Sequence, residues 1–236
     1  MDKIVICGKS NLYGSINVKG SKNSTLPILV SSLLSDEDLE LTNIPDLEDI
    51  NNMKMLLKSY GAKIKYKSDG LIINSKNISN KVANYDIVRK MRASILILGP
   101  LLSRFKKARI SLPGGCAIGT RPIDIHLEGL AKLGASFNIE NGFVNAEVKS
   151  ALIGNTIRLP FASVGATENI IMASILARGE TIIYNAAREP EVVDLSNCLR
   201  SMGAQIFGDG TTRIKIIGIK KLVKAKHKIL SDRIVA

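Results

Sequence analysis

Leu57-Lys58-Ser59-Tyr60-Gly61-Ala62-Lys63-Ile64, Leu130-Ala131-Lys132-Leu133-Gly134-Ala135-Ser136-Phe137 and Leu199-Arg200-Ser201-Met202-Gly203-Ala204-Gln205-Ile206 are one phrase written three times, with a period of about 70 residues. Each copy reads as the last turn of an amphipathic helix, a glycine in the left-handed position just past its end, and then a strand. Each helix is announced by a proline and an acidic residue: Pro45 and Asp49, Pro122 and Asp124, Pro190 and Asp194. Proline fits a helix entry, and a carboxylate is favoured near the positive end of the helix dipole.

Upstream of each helix lies an apolar stretch, Leu26 to Leu34, Ala93 to Leu102 and Ile170 to Leu176, which runs into a strand at Leu39 to Leu41, Arg109 to Leu112 or Thr181 to Tyr184. An alternating segment closes each unit: Leu71-Ile72-Ile73, Phe143-Val144-Asn145-Ala146 and Thr212-Arg213-Ile214-Lys215-Ile216. The chain therefore reads as three α/β units, about 22–80, 86–148 and 164–218, each burying one face against the other two around a pseudo-threefold axis. The charge-poor helices belong inside and the more polar ones outside, which predicts an inside-out α/β barrel of three pseudo-symmetric repeats spanning 22–219. An ordinary doubly wound sheet is the alternative, and the regular unit length favours the repeats. Residues 1–21 and 220–236 fall outside the units, with no obvious partner in this chain.

Composition bounds the function. The 236 residues, 45% hydrophobic and 23% charged, describe a soluble globular chain of one or two domains. Aromatics are only 4% and Trp is absent, so the core is aliphatic and stacking platforms for bases are disfavoured. The formal charge of +12 suits an anionic partner. Much of the excess is scattered lysines and the run Lys220, Lys221, Lys224, Lys226 and Lys228, which lacks aromatic or glycine interleaving and reads as a solvated face; no nucleic-acid partner is expected. Cys7, Cys116 and Cys198 form neither a C-x-x-C pair nor a Cys/His cluster, so no metal site is expected and the compartment reads as reducing. The apolar run at the start is too short for a signal peptide, and Ala93 to Leu102 is about half a membrane span. The expectation is a cytoplasmic protein with no membrane partner.

The sharpest local feature is Ser111-Leu112-Pro113-Gly114-Gly115-Cys116-Ala117-Ile118-Gly119-Thr120-Arg121-Pro122, a glycine-rich loop between a strand and a helix with one thiol at its tip. Its glycines let backbone approach a ligand, and Arg121 can lower the pKa of Cys116, which suits a nucleophile or proton donor. A small residue in a turn is the plainer reading. Lys22 and Asn23 open the first apolar helix, Arg92 the second, and Ser163-Val164-Gly165-Ala166-Thr167 the third. By the repeat these are equivalent helix starts that can converge on one face, where Lys22, Arg92 and Arg121 would suit a doubly anionic ligand. Each cation alone is equally a solvated charge.

Gly20-Ser21-Lys22-Asn23, Met91-Arg92-Ala93-Ser94, Leu112 to Gly119, Arg121-Pro122-Ile123-Asp124-Ile125-His126, Ser163 to Asn169 and Asn185-Ala186-Ala187-Arg188-Glu189-Pro190-Glu191 together resemble the enolpyruvyl transferase family, in its UDP-N-acetylglucosamine 1-carboxyvinyltransferase branch. The resemblance spans nearly the whole chain. The 3-phosphoshikimate branch shares the repeats but typically has Ser after the first Lys and lacks the cysteine loop. The resemblance implies enolpyruvyl transfer from phosphoenolpyruvate to the 3-hydroxyl of UDP-N-acetylglucosamine, the first committed step of peptidoglycan synthesis, with no cofactor. It implies that Lys22, Asn23 and Arg121 hold phosphoenolpyruvate. Arg92, Arg121, Pro122, Ile123, Asp124, Ile125, Phe161, Ala162, Ser163 and Val164 would contact the nucleotide sugar. Cys116 would be a general acid that forms an adduct with phosphoenolpyruvate and the target of the epoxide fosfomycin.

Two departures follow. Family members have Lys-Val or Phe-Pro before the Ser-Val-Gly phrase, where this chain has Phe161-Ala162. The family also continues past the equivalent of Ala236 into a second domain, which residues 1–21 join and 220–236 begin, and which carries the base for the sugar hydroxyl. The implied protein is a truncated or split enzyme, inactive alone and complemented by a separately encoded C-terminal half. The alternative is a non-catalytic UDP-sugar-binding or interaction fragment.

Overall fold

A helix that is apolar on every side has no face to offer water and must lie inside. The computed structural model describes residues 5, 8, 11, 13–78, 91–111 and 123–236. In the first unit α1 (Lys22–Ser31) leads to β1 (Asp38–Thr42), α2 (Glu48–Tyr60), β2 (Lys63–Lys67) and β3 (Gly70–Asn74). In the second, a 3-10 segment (Arg92–Ile97) runs into α3 (Leu98–Phe105), then β4 (Lys107–Ser111), α4 (Asp124–Lys132), β5 (Ser136–Glu140) and β6 (Phe143–Glu147). The third unit is β7 (Thr156–Arg158), α5 (Val164–Ser174), β8 (Glu180–Tyr184), α6 (Pro190–Ser201), β9 (Gln205–Phe207) and β10 (Arg213–Ile217), after which comes β11 (Ala225–Lys228).

The repeated phrase does what its glycine predicts. Gly61, Gly134 and Gly203 follow α2, α4 and α6 with φ of 109°, 101° and 98°, a region that penalises a Cβ. In every unit the strand after the inner helix pairs antiparallel with the closing strand. The buried cross-strand pairs Leu39–Ile73, Ile110–Val144 and Ile183–Ile214 fall at corresponding places. Ile28, Leu29, Val30 and Leu33 in the first unit and Ile170, Ile171, Met172 and Ala173 in the third are fully buried. Each large aliphatic side chain so placed contributes about 1.5–3 kcal/mol.

The α/β units are present as expected, and among the described residues the strands form three separate sheets, ordered β11-β1-β3-β2, β4-β6-β5 and β7-β8-β10-β9, none of which closes on itself. The inner helices fill the space between the sheets, so strands of different units do not meet edge to edge. The 3-10 segment touches both α1 and α5, and α5 also packs on α3, α4 and α6. Two glycines permit that crowding. A Cβ on Gly99 of α3 would come within 2.5 Å of the Asn169 carbonyl oxygen, and one on Gly129 of α4 would collide with the Ile170 side chain. Arg104, at the end of α3, pairs with Asp36 and donates to the carbonyls of Leu33, Ser35 and Ser75 at 2.9–3.0 Å, fastening the second unit to the first.

Residues after Ile219 do have a partner in this chain. β11 runs parallel to β1, as β7 runs parallel to β8, so the first unit borrows its fourth strand from far along the sequence. Leu222 and Ile229 are buried there. The strand is held by Asp194, whose expected role as a helix-start carboxylate gives way to a more specific one. His227 Nε2 lies 2.9 Å from its Oδ1, the Leu230 N–H donates to its Oδ2 at 3.1 Å, and the Ser24 hydroxyl donates to the same oxygen. Burial alone would raise the Asp194 carboxyl, but these hydrogen bonds from His227, Ser24 and Leu230 outweigh it and hold it below its ordinary value. Beside this strand the two ends of the domain run together: the Ser21 N–H donates to Leu230 O at 2.7 Å and the Asp232 N–H to Lys19 O at 2.9 Å. Among the described residues no helix is long and apolar enough to cross a membrane.

Asp194→Ala leaves Ser24 and His227 without their acceptor, and we expect a loss of roughly 2–4 kcal/mol in chemical denaturation. Hydrogen exchange should accelerate first in residues 225–230. Since the folded carboxyl is held low, this contribution is present above the ordinary Asp pKa and is lost as the pH falls through the folded value.

Candidate active site

The three inner-helix starts meet at one cleft of about 720 Å³. Asn23, Leu26 and Pro27 of α1, Arg92, Ala93, Ile95 and Leu96 of the 3-10 segment, and Ser163, Val164, Gly165 and Glu168 at α5 line it, with Ile125 and His126 of α4, Phe161, Glu189, Glu191 and Arg233. Each inner helix begins here for a local reason. Ser21 and Ser163 are N-caps, their hydroxyl oxygens accepting from the Ser24 and Ala166 N–H groups at 3.4 Å. The second unit enters from Met91 in extended backbone. The N–H groups left over at these starts favour anions.

Of the residues anticipated from sequence, Asn23, Arg92, Ile125, Phe161, Ser163 and Val164 are brought together. Ile123 is partly buried against the core, while Asp124 and Ala162 are exposed and do not line the cleft. Cys116, Arg121 and Pro122 lie outside the described residues. Lys22 points elsewhere: its Nζ is 3.0 Å from Asp49 Oδ2 and it lines a second cleft of about 460 Å³ with Asn23, Glu48, Asp49 and Asp232. Successive helical residues are turned about 100° apart, so Lys22 and Asn23 address different directions and only Asn23 borders both clefts.

Five titratable lining residues escaped the sequence reading: His126, Glu168, Glu189, Glu191 and Arg233. His126, Glu168, Glu189 and Glu191 stood inside quoted motifs without a role. Arg233 carried no signal. It closes on Glu191 with two bonds, Nε to Oε1 at 3.0 Å and Nη2 to Oε2 at 3.2 Å.

Asn169 sets the state of His126. Its Oδ1 accepts from the Gly99 N–H at 2.8 Å, which turns its Nδ2 toward Ile95 O at 3.1 Å and His126 Nδ1 at 3.2 Å. His126 Nδ1 is therefore an acceptor, and its proton sits on Nε2. Gly165 keeps space beside that nitrogen, since a Cβ there would approach Nε2 to 3.4 Å. Burial, helped by the Arg92 charge, lowers the His126 pKa from 6.5 to about 4, so the ring is neutral. The cleft thus offers an imidazole N–H, an amide, guanidinium groups and helix N-termini. These are donors suited to phosphate, carboxylate and sugar oxygens.

The sequence matches the EPSP synthase (3-phosphoshikimate 1-carboxyvinyltransferase) family over residues 6–236. The chain belongs to that family. Among relatives of the EPSP synthase family, it is 54% identical over 236 residues to the UDP-N-acetylglucosamine 1-carboxyvinyltransferase of Dinoroseobacter shibae, covering 99% of this chain and 56% of that protein. To the protein of the same name from Rickettsia felis it is 52% identical over 240 residues, covering 100% of this chain and 57% of the relative. The chain thus spans just over half the length of these curated relatives. Its fold is similar to an enolpyruvyl transferase from Streptomyces tendae, with a TM-score of 0.82 at 20% identity over 95% of this chain and 53% of the other. The EPSP synthase of Acinetobacter baumannii superposes with a TM-score of 0.71 at 21% identity, covering 92% and 50%.

A histidine whose folded pKa is depressed adds stability that is present above the unfolded value near 6.5 and is lost as the pH falls toward 4. We expect the stability of wild type relative to His126→Gln to drop by on the order of 3 kcal/mol across that window. Parallel denaturation series at several pH values measure it.

Proposed function

We propose that this chain carries much of the substrate site of an enzyme that transfers the enolpyruvyl group of phosphoenolpyruvate to the 3-hydroxyl of UDP-N-acetylglucosamine, releasing phosphate. The reading rests on one observation above all: the helix starts of three units open into one cleft, in a chain 52–54% identical to UDP-N-acetylglucosamine 1-carboxyvinyltransferases. That reaction would commit the sugar to peptidoglycan synthesis, in the cytoplasm where both substrates are made.

Chemically, the transfer is addition followed by elimination. Cys116 delivers a proton to the methylene carbon of phosphoenolpyruvate, the neighbouring carbon takes on cationic character, and the sugar oxygen bonds to it. Loss of a proton from the new methyl group and departure of phosphate restore the double bond. Arg121, with Lys22 and Asn23, holds the phosphate and carboxylate. The Lys22–Asp49 pair is partly exposed, with side chains 41% and 37% accessible. Exposed pairs contribute at most about 1 kcal/mol, so phosphate can compete for the ammonium group. The N-terminus of α5 at Ser163 and Val164, with Arg92, faces the diphosphate, and Phe161 and Ile125 of the same cleft complete the sugar nucleotide's contacts.

The base for the sugar hydroxyl belongs to the part of the relatives that lies beyond the matched stretch. The chain at Lys19 and at Asp232, which lie side by side, leads toward that part.

Three results are expected. The 236-residue chain alone gives little or no phosphate release from the two substrates, and calorimetry shows tighter UDP-N-acetylglucosamine binding once a C-terminal portion is supplied. In the reconstituted enzyme Cys116→Ala lowers turnover by about 10²–10⁴-fold. Mass spectrometry finds one fosfomycin adduct per wild-type chain and none in Cys116→Ala. Ordinary turnover by the chain alone would contradict the assignment of the base, and binding that never leads to turnover would leave a UDP-sugar-binding module.

A further inference from the structure

Glu168 sits one turn into the most enclosed helix of the protein, with 3% of its surface exposed. It lines the cleft, yet its buried Oε1 has no hydrogen-bond partner. A buried polar atom left unpaired costs about 1–3 kcal/mol, and the other buried polar side chains of this helix, Thr167, Asn169 and Ser174, all have partners within the chain, so Glu168 calls for one that arrives from outside. The surroundings decide which form of the carboxyl is present. The charges of Glu191 and Glu189, within and just before α6, both act against ionisation of Glu168, and Glu191 is paired with Arg233. From the second unit, neutral His126 and Arg92 border the same cleft. Arg104 of α3 is engaged with Asp36 and three carbonyls. A dry site beside two carboxylates disfavours a third negative charge.

We propose that Glu168 stays the uncharged acid and donates its O–H to an anionic oxygen, phosphate or carboxylate, of the ligand in the cleft. An ionised carboxylate at this place would repel the ligand, whereas the acid makes a charge-assisted hydrogen bond and adds no charge of its own. The proposal rests on the functional reading above and assigns Glu168 a recognition role in that site.

The physical consequences separate it from a merely structural carboxyl. Burial and the charges of Glu191 and Glu189 hold the Glu168 pKa well above its ordinary value. In the free protein its contribution to stability is therefore complete below the ordinary Glu pKa and declines as the pH rises through the folded one. Once the pH passes that folded value, the acid ionises and the ligand must bind together with a proton. Affinity then falls about tenfold per pH unit.

The test uses the chain together with the C-terminal portion, and the probes are UDP-N-acetylglucosamine and phosphoenolpyruvate in separate calorimetric titrations. Wild type should show a protonated-carboxyl stretch at neutral pH in isotope-edited infrared spectra, absent in Glu168→Gln, and the band should shift when the contacting probe is added. Binding of that probe at alkaline pH should take up a proton, seen as an enthalpy that depends on the buffer. Glu168→Gln should lose both the proton uptake and the alkaline fall. Glu168→Leu should bind roughly tenfold to a hundredfold more weakly at neutral pH. The probe that shifts the band identifies which anion is read. Absence of binding by wild type at every pH would overturn the functional reading and this inference with it. Binding whose pH profile is the same in wild type and Glu168→Gln, or a band that no probe moves, would overturn this inference alone.

Discussion

Everything in this molecule is arranged around a helix with no wet side. From Ala166 to Ser174 every residue of α5 is buried, so each neighbour that touches it must come close without leaving a polar atom stranded. The glycines of α3 and α4 allow the approach, and the polar side chains near the helix start are nearly all accounted for. Thr167 Oγ1 accepts from the Ala187 N–H at 3.1 Å, and Asn169 bonds to Gly99, Ile95 and His126. The one open end of the helix is its N-terminus. That end is where positive potential is found, and it is where the cleft lies.

The same constraint explains why three units share one site. Inner helices packed side by side between outer sheets start near one another, so the residues that open them converge: Asn23, Arg92 and Ser163 come from three distant stretches of chain. The cleft also recruits the segment after the third unit. β11 fills the fourth place in the first sheet, Asp194 pins it, and a few residues later Arg233 reaches Glu191 in the cleft wall. Fold and site are therefore coupled at the point where chain entering the domain at Lys19 and chain leaving it at Asp232 lie side by side.

Much of this was legible in the sequence because it is written in local rules. The Gly-Ala phrase carries a backbone requirement, and the charge-poor stretches carry a burial requirement, so helix ends, the succession of helices and strands within units and the inner position of three helices could be read directly. Non-local pairings could not. Nothing in Ala225 to Lys228 marks it as the partner of β1, and the way the helices lie between the described sheets depends on packing across units. Side-chain direction was equally out of reach: Lys22 and Asn23 are adjacent in sequence, but only Asn23 reaches the cleft where the helix starts meet. Glu168 and His126 were written in plain view, but their roles come from burial and from the amide orientation of Asn169, which is a three-body property.

The central claim is that the convergence of the three helix starts forms the nucleotide-sugar site. Backbone amide NMR of the labelled protein titrated with UDP-N-acetylglucosamine tests it most directly. The account predicts saturable shifts that appear together at Arg92, Ile125 and Ser163–Gly165, with one shared affinity. Shifts confined to one unit, or centred on the face formed by Lys107–Arg109, Ser136–Asn138 and Asn145–Glu147, would contradict it.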